Sequence, residues 1–260
     1  MDAYAKVMAS RAKGRATGLD YIENIFEDFV ELHGDRRFGD DKAVVAGIAR
    51  LKGMPVTVIA HEKGGDTREK VERNFGSAHP EGYRKALRQM KLAEKFRRPV
   101  VCLVDTSGAF CGIGAEERGQ GQAIAENLME MMTLKTPILA VLIGEGGSGG
   151  ALGLAVADEV WMLRNATYSV ISPEGCASIL WKDASRVKEA AESLRLTAED
   201  MAELGVIERI IEEPGEDADA FYAGLGQALY ETLARNLALP TDALLENRYM
   251  RFRKLGVSGS

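Results

Sequence analysis

The chain has 260 residues, 46% of them hydrophobic and 28% charged, with a formal net charge of −6 and a pI near 5.3. Such a length buries a substantial core, the composition excludes a disordered chain, and the acidic balance argues against sequence-independent nucleic-acid binding as the main role. Three cysteines, Cys102, Cys111 and Cys176, form no C-x-x-C pair, so neither a structural zinc site nor a disulfide framework is expected, and a reducing compartment such as the cytoplasm fits.

Residues 1–41 read as a charged helical arm, in which YIENIFEDFVELHG places Ile22, Ile25, Phe26 and Phe29 on one face. The next stretch, AVVAGIARLKGMPVTVIAHEKG, reads as two strands joined at Lys52-Gly53-Met54-Pro55, a hairpin. After a polar loop, GGDTREKVERNFGSAHPEG, comes a helix with Tyr83, Ala86, Leu87, Met90 and Ala93 on its inner face. From Pro99 the pattern is regular. PVVCLVD is a buried strand, TSGAFCGIGAEERGQG a glycine-rich loop, and QAIAENLMEMMTLK a helix turning Ile124, Leu128, Met131 and Met132 inward. PILAVLI is the next strand, followed by a second glycine loop and the small-residue helix ALGLAVA. VWML and YSVI read as short strands, the latter ending in a turn SPEG, before a helical tail with an N-cap at Thr197 and a late strand VIERII. The apolar runs fall far short of the ~20 residues a membrane span needs, and the N-terminus has no apolar signal region. Strands alternating with helices predict an α/β fold with a mostly parallel sheet. The expected organisation is an arm over 1–41, a core over 42–215 and a helical tail over 216–260, one structural domain overall.

The second glycine loop, GEGGSGG at 144–150, admits three chemical readings. Gly144, Gly146 and Gly149 match G-x-G-x-x-G, but a dinucleotide site also needs an acid some 20 residues on, where Arg164 stands instead. No G-K-[ST] follows, so a Walker loop is excluded. Gly146 to Gly150 also satisfy G-x-S-x-G around Ser148, yet His33, His61 and His79 all precede it, the wrong order for that hydrolase fold. The third reading is a bare-backbone anion site. Glycines feeding a helix N-terminus expose N–H groups to a substrate oxygen, and the helix dipole favours negative charge there. Close helix–sheet packing is the bland alternative, and the better one for Ala151, Gly153, Ala155 and Ala157. The loop DTSGAFCGIGAEERGQG leaves its strand at the same sheet edge, where parallel α/β sheets bind ligands, and Ser172-Pro173-Glu174-Gly175 adds a third turn.

HGDRRFGDD, NFGSAHPEGYRKALR, GIGAEERGQG, GEGGSGGAL and YSVISPEGCASILWK resemble the alpha-subunit family of bacterial acetyl-CoA carboxylase carboxyltransferases, from about Tyr21 to about Tyr249. The resemblance implies a crotonase-like (ClpP/crotonase) spiral of β-β-α units whose backbone N–H groups form oxyanion holes. It implies carboxyl transfer from carboxybiotin, held on a biotin carboxyl carrier protein charged by biotin carboxylase, to acetyl-CoA, giving malonyl-CoA for fatty acid biosynthesis. It further implies a zinc-ribbon beta subunit as partner, an alpha2beta2 assembly, and no metal or permanently bound cofactor in this chain. The family's scheme lets the biotin ureido nitrogen take the substrate proton, so no protein base is required. Carried over by resemblance, Gly149 and Gly150 face the ureido oxygen, Gly147 and Ser148 shape the turn, and Gly108, Ala109, Gly146 and Ser172, Pro173, Glu174, Gly175 border the carboxybiotin pocket. For Gly108 and Ala109, and for Ser172 to Gly175, a purely structural turn stays equally open. Glu116 and Glu117 are expected to be solvated, as is the basic stretch Arg68, Lys70, Arg73, Arg84, Lys85, Arg88 and Lys91, whose alternative is contact with CoA phosphates or an acidic partner. Three departures stand out: Ser107, Phe110 and Cys111 replace the family's Pro, Tyr and Pro, Gly65 stands where arginine is usual, and an N-terminal helical extension of longer members is missing. The rivals are another crotonase-fold acyl-CoA enzyme, such as a decarboxylase, hydratase, isomerase or a subunit of another acyl-CoA carboxylase, and a non-catalytic scaffold subunit.

Overall fold

The computed structural model describes residues 1–256. Two short helices open the chain, α1 (Ala3–Ser10) and α2 (Gly18–Ile25). The helix expected to continue through Phe29 stops there, because Glu27–Glu31 is a strand, β1, paired antiparallel with the next one. An edge-strand position, with Phe29 packed against the bare Cα of Gly47, outweighs the helical spacing of the apolar residues. The predicted hairpin is present as β2 (Val44–Leu51) and β3 (Met54–His61), with the turn reduced to Lys52-Gly53.

The polar loop holds α3 (Thr67–Glu72) and a 3-10 turn at Asn74–Gly76. Next, α4 (Pro80–Lys95) starts with proline in its first turn, where the missing N–H costs nothing. It buries Tyr83, Ala86, Leu87, Met90 and Ala93 as predicted. The basic residues on α4 correct the expectation of a solvated face. Lys85 is fully buried and donates to Asp40 Oδ1 (2.6 Å) and to the Asp41 carbonyl (2.8 Å), while Arg84 pairs with Asp35 (2.8 Å) and Glu81 (3.0 Å). These cations hold the HGDRRFGDD segment onto the helix.

β4 (Val100–Thr106) is buried at every position, as a strand covered on both faces requires. After α5 (Ile113–Glu117) and α6 (Gln120–Thr133) come β5 (Ile138–Gly147), α7 (Ser148–Ala155), β6 (Glu159–Leu163) and β7 (Thr167–Ser169). The predicted SPEG turn is instead the start of α8 (Pro173–Trp181), with Ser172 as N-cap accepting from the Gly175 N–H. α9 (Val187–Ser193), α10 (Ala198–Glu203) with its predicted cap at Thr197, β8 (Arg209–Ile211), α11 (Ala218–Leu237) and α12 (Thr241–Arg253) complete the chain.

The strand order is β1-β2-β3-β4-β5-β6-β8, with β7 attached to β5; pairing is antiparallel up to β3 and parallel beyond it. One hydrophobic core runs from Tyr21 to Leu233. At the start of β5, Arg248 of α12 is fully buried; it pairs with Asp158 (2.8 Å) and donates to the carbonyls of Met131 (2.7 Å), Leu134 (2.8 Å) and Thr136 (2.9 Å). Asp158 in turn accepts the Ile138 N–H at 2.7 Å.

Candidate active site

β4 and β5 run parallel as neighbours, so both glycine-rich segments leave the sheet at one edge. The first part of β5 pairs with β6 and its last part, Glu145–Gly147, with β7. Between the two the register slips: Val104 faces Leu142 but Thr106 faces Gly146, with one residue of β4 between them against three of β5. Such a bulge bends a strand and re-aims the residues beyond it.

Beyond the bulge the chain makes no loop, contrary to expectation, but passes directly from strand to helix. β5 ends at Gly147 and α7 begins at Ser148, which takes a left-handed φ of +52°. For a residue with a Cβ that conformation costs roughly 1–2 kcal/mol, a strain of the kind concentrated at functional sites. The first N–H groups of a helix have no partner within it. The amides of Gly149 and Gly150 therefore have no acceptor within α7, and among the described residues that of Ala109 on the adjoining turn donates to no protein acceptor.

The two turns touch through bare backbone. A Cβ on Gly150 would collide with the amide nitrogen of Ala109 and stand 2.8 Å from the carbonyl carbon of Gly108; one on Gly147 would collide with the carbonyl of Ser107. Tyr83, buried in α4, donates its hydroxyl to the Gly150 carbonyl at 3.3 Å. Ser148 and Gly149 line a cavity of about 410 Å³ walled mostly by apolar side chains, including Leu152, Val170, Phe252 and Leu255. Gly150 lies beneath this wall, buried under the Ala109 turn.

The other predicted pocket residues lie apart. Gly146, Gly147, Ser172 and Pro173 surround a crevice of about 20 Å³, Gly175 serves the Ser172 cap, and Glu174 is paired with Arg11 (2.7 Å). Gly108 donates to Thr106 Oγ1 at 3.1 Å and closes the turn. Glu116 and Glu117 are exposed, as expected.

The largest charged assembly near the site escaped the sequence reading. Lys63, just past β3, pairs with Asp105 of β4 (2.6 Å) and Glu145 of β5 (2.9 Å), and Glu145 also holds Arg11 (2.7 Å). Burial opposes charge on Lys63, but the two carboxylates outweigh it and raise its ammonium above the ordinary range. For Glu145, burial is likewise outweighed, by Lys63 and Arg11, and its carboxyl is held below the usual range. A sequence signal did exist, since Asp105 is an acid closing a wholly apolar strand. Its partners lie far away in the chain, and no spacing rule connects them.

No side chain here is poised as a base for Ser148. His61 is fully buried, without a partner on either ring nitrogen, and pushed down to about 3 by burial and by the charge of Lys63. His33 bonds Asp40 (3.0 Å), and His79 contacts Asn74 (3.1 Å) and stacks on Phe110 with ring centroids 4.1 Å apart. Cys102 is buried and its thiol pushed up by burial. Among the described residues, no three His, Cys, Asp or Glu side chains are grouped so as to hold a metal, and no helix is long and apolar enough to cross a membrane.

The sequence profile of the family described as acetyl co-enzyme A carboxylase carboxyltransferase-like matches residues 1–256. The chain belongs to this family. The acetyl-coenzyme A carboxylase carboxyl transferase subunit alpha of Ruminiclostridium cellulolyticum is 65% identical over 257 residues, covering 99% of each chain. A fused beta/alpha carboxyl transferase from Natranaerobius thermophilus is 56% identical over 261 residues, which cover 97% of this chain and 42% of that protein. Among solved structures, transcarboxylase 12S superposes with a TM-score of 0.69 at 21% identity, over 88% of this chain and 44% of that one. The beta subunit of Pseudomonas aeruginosa geranyl-CoA carboxylase gives 0.69 at 16% identity, over 93% and 46%. These likenesses establish the crotonase-like carboxyltransferase fold. Two of the positions read from the sequence as departures are accommodated locally. Phe110 spends its ring on the stack with His79, and the Gly65 N–H donates to Glu69 (2.8 Å).

Proposed function

We propose that this chain is the alpha subunit of a biotin-dependent acetyl-CoA carboxyltransferase, acting with a zinc-ribbon beta subunit to make malonyl-CoA for fatty acid synthesis. The observation that carries the reading is the glycine start of α7, where the amides of Gly149 and Gly150 have no partner within the helix, beside an apolar cavity and with no histidine poised as a base. The cavity suits an apolar ring, and bare N–H donors suit a carbonyl-type oxygen that gains charge. Carboxybiotin, presented by a separate biotin carboxyl carrier protein, supplies the carboxyl group when bound. The N–H of Gly149, at the cavity wall, and that of Gly150 just beneath it would hold its ureido oxygen, where the dipole of α7 favours negative charge. Ser148 shapes the turn rather than attacking the substrate. Ala109 and Gly108 press on Gly150 from the neighbouring strand and keep the amides aimed, while Gly146, Gly147 and Ser172 to Gly175 hold the surrounding backbone. Cytoplasmic operation, an alpha2beta2 assembly and charging of the carrier by biotin carboxylase belong to the same reading.

The test mixes the purified chain with its beta partner and follows malonyl-CoA-dependent carboxylation of a free biotin derivative. Activity is expected only from the mixture. Turnover by the isolated chain would overturn the shared-site reading and favour a self-sufficient acyl-CoA enzyme.

A further inference from the structure

Both amide-bearing turns are glycine-rich, and glycine backbone is intrinsically free to move. The two turns meet backbone to backbone at Ala109 and Gly150, with the Tyr83 hydroxyl holding Gly150 from the α4 side. The base of the turns sets their spacing, and there, next to the ladder pair of Thr106 with Gly146, the structure holds a side-chain tie. Asp105, 6% exposed, uses Oδ1 to accept the Glu145 N–H at 2.8 Å and to meet Lys63 at 2.6 Å. Asp105 stands two residues before the Ser107–Ala109 turn, and Glu145 two residues before Gly147, so this bond joins the roots of both beside the Thr106–Gly146 pair.

The bulge of β5 lies opposite Asp105, and its backbone is built around that carboxylate. A Cβ on Gly144 would collide with Oδ1 and lie 2.7 Å from Oδ2, so the strand passes only because residue 144 is glycine. The carbonyl of Ile143, inside the bulge, accepts from Arg15 Nε at 2.8 Å, and Arg15 is itself fixed by Glu213 at 3.0 and 3.1 Å. Lys63 neutralises Asp105 and, with Arg11, Glu145 as well, so the buried acids are paired rather than left to desolvation. β7 joins β5 at Glu145, immediately past this tie.

We infer that Asp105 is a positioning residue for carboxyl transfer: by holding the Glu145 N–H and Lys63 it fixes the β5 bulge, and with it the spacing of the Ala109 turn from the amides that open α7. The inference rests on the reading of those amides as the oxyanion site. Asp105 touches no substrate; it acts through the backbone of Glu145.

The experiment uses the complex with the beta subunit, malonyl-CoA and a free biotin derivative, and compares Asp105→Ala, Asp105→Asn and the double variant Asp105→Ala with Lys63→Met. Asp105→Ala is expected to lower kcat at least tenfold, toward the ~10²-fold loss of an oxyanion donor, with KM for malonyl-CoA within about twofold. Asp105→Asn keeps an acceptor for the Glu145 N–H and should stay within about fivefold of the parent kcat. The double variant removes the stranded ammonium and regains melting temperature, yet stays as slow as Asp105→Ala; it also carries the test should the single variant fail to fold. A double variant that recovers kcat along with stability, or an Asp105→Ala enzyme at full rate, overturns the inference. Gly150→Val serves as reference. If it is slow while the Asp105 variants are not, only the positioning role falls; if it turns over at full rate, the amide reading falls and takes the positioning role with it.

Discussion

The two ends of β5 are built from the same materials to opposite ends. At its start, a buried aspartate takes the first N–H of the strand and a buried arginine answers that aspartate and three carbonyls, so the polar groups named there are matched. At its end, Asp105 again takes a strand N–H and a buried cation answers it, but the backbone then runs on into the glycines that open α7, whose amides have no partner within the helix. A satisfied network stabilises and is chemically inert. A rigid base under unsatisfied donors holds capacity in reserve for a ligand. Family motifs alone do not separate these cases, since HGDRRFGDD is as distinctive as GEGGSGG and spends its charges internally on Arg84 and Lys85.

The contrast breaks most sharply at Gly150. Replacing it by valine drives a side chain into Ala109 and should cut kcat of the complex by ~10²–10³-fold, the range for losing an oxyanion donor, while the melting temperature moves only a few degrees. A scaffold subunit would keep its rate. Next in size is Arg248→Met, which strands Asp158 and three carbonyls. It should lose ~3–5 kcal/mol of unfolding free energy in urea titration, with the kcat of the surviving folded complex unchanged. Should kcat collapse as well, the two ends of β5 would not be separable.

A smaller effect tests the charge at the active end. The Glu145 carboxyl is held below its ordinary value, so its contribution to stability is complete above the unfolded-state value near 4.5 and is lost as pH falls through the folded-state value. Glu145→Gln should therefore be less stable at pH 7 and show a shallower decline of melting temperature below about pH 5. An acid limb as steep as the parent's would mean the Lys63 and Arg11 contacts do not persist in solution. The smallest effect belongs to Ser148→Ala, expected to leave kcat within about threefold because the turn needs the backbone and not the hydroxyl. A loss of several orders would restore the serine as nucleophile.

Much of this protein was legible in order along the chain. The hairpin, the wholly buried β4, the inner face of α4 and the Thr197 cap follow from local periodicity and capping chemistry. Local pattern misled where neighbours decided. EDFVE became a strand because β2 offered an edge, SPEG became a helix start because Ser172 caps it, and Lys85 went inside because Asp40 and the Asp41 carbonyl wait there.

The sequence by itself settled the family, the succession of the main strands and helices from β2 to α7 and the location of the glycines, since each depends on residues a few positions apart. Tertiary structure alone decided that Lys63, Asp105 and Glu145 form one brace, that Arg15 reaches the bulge, and that Gly149 walls the cavity while Gly150 lies beneath Ala109. Ion pairs and backbone contacts between residues tens of positions apart exist only once the parallel crossovers have set strand beside strand, and no short stretch of sequence contains both partners.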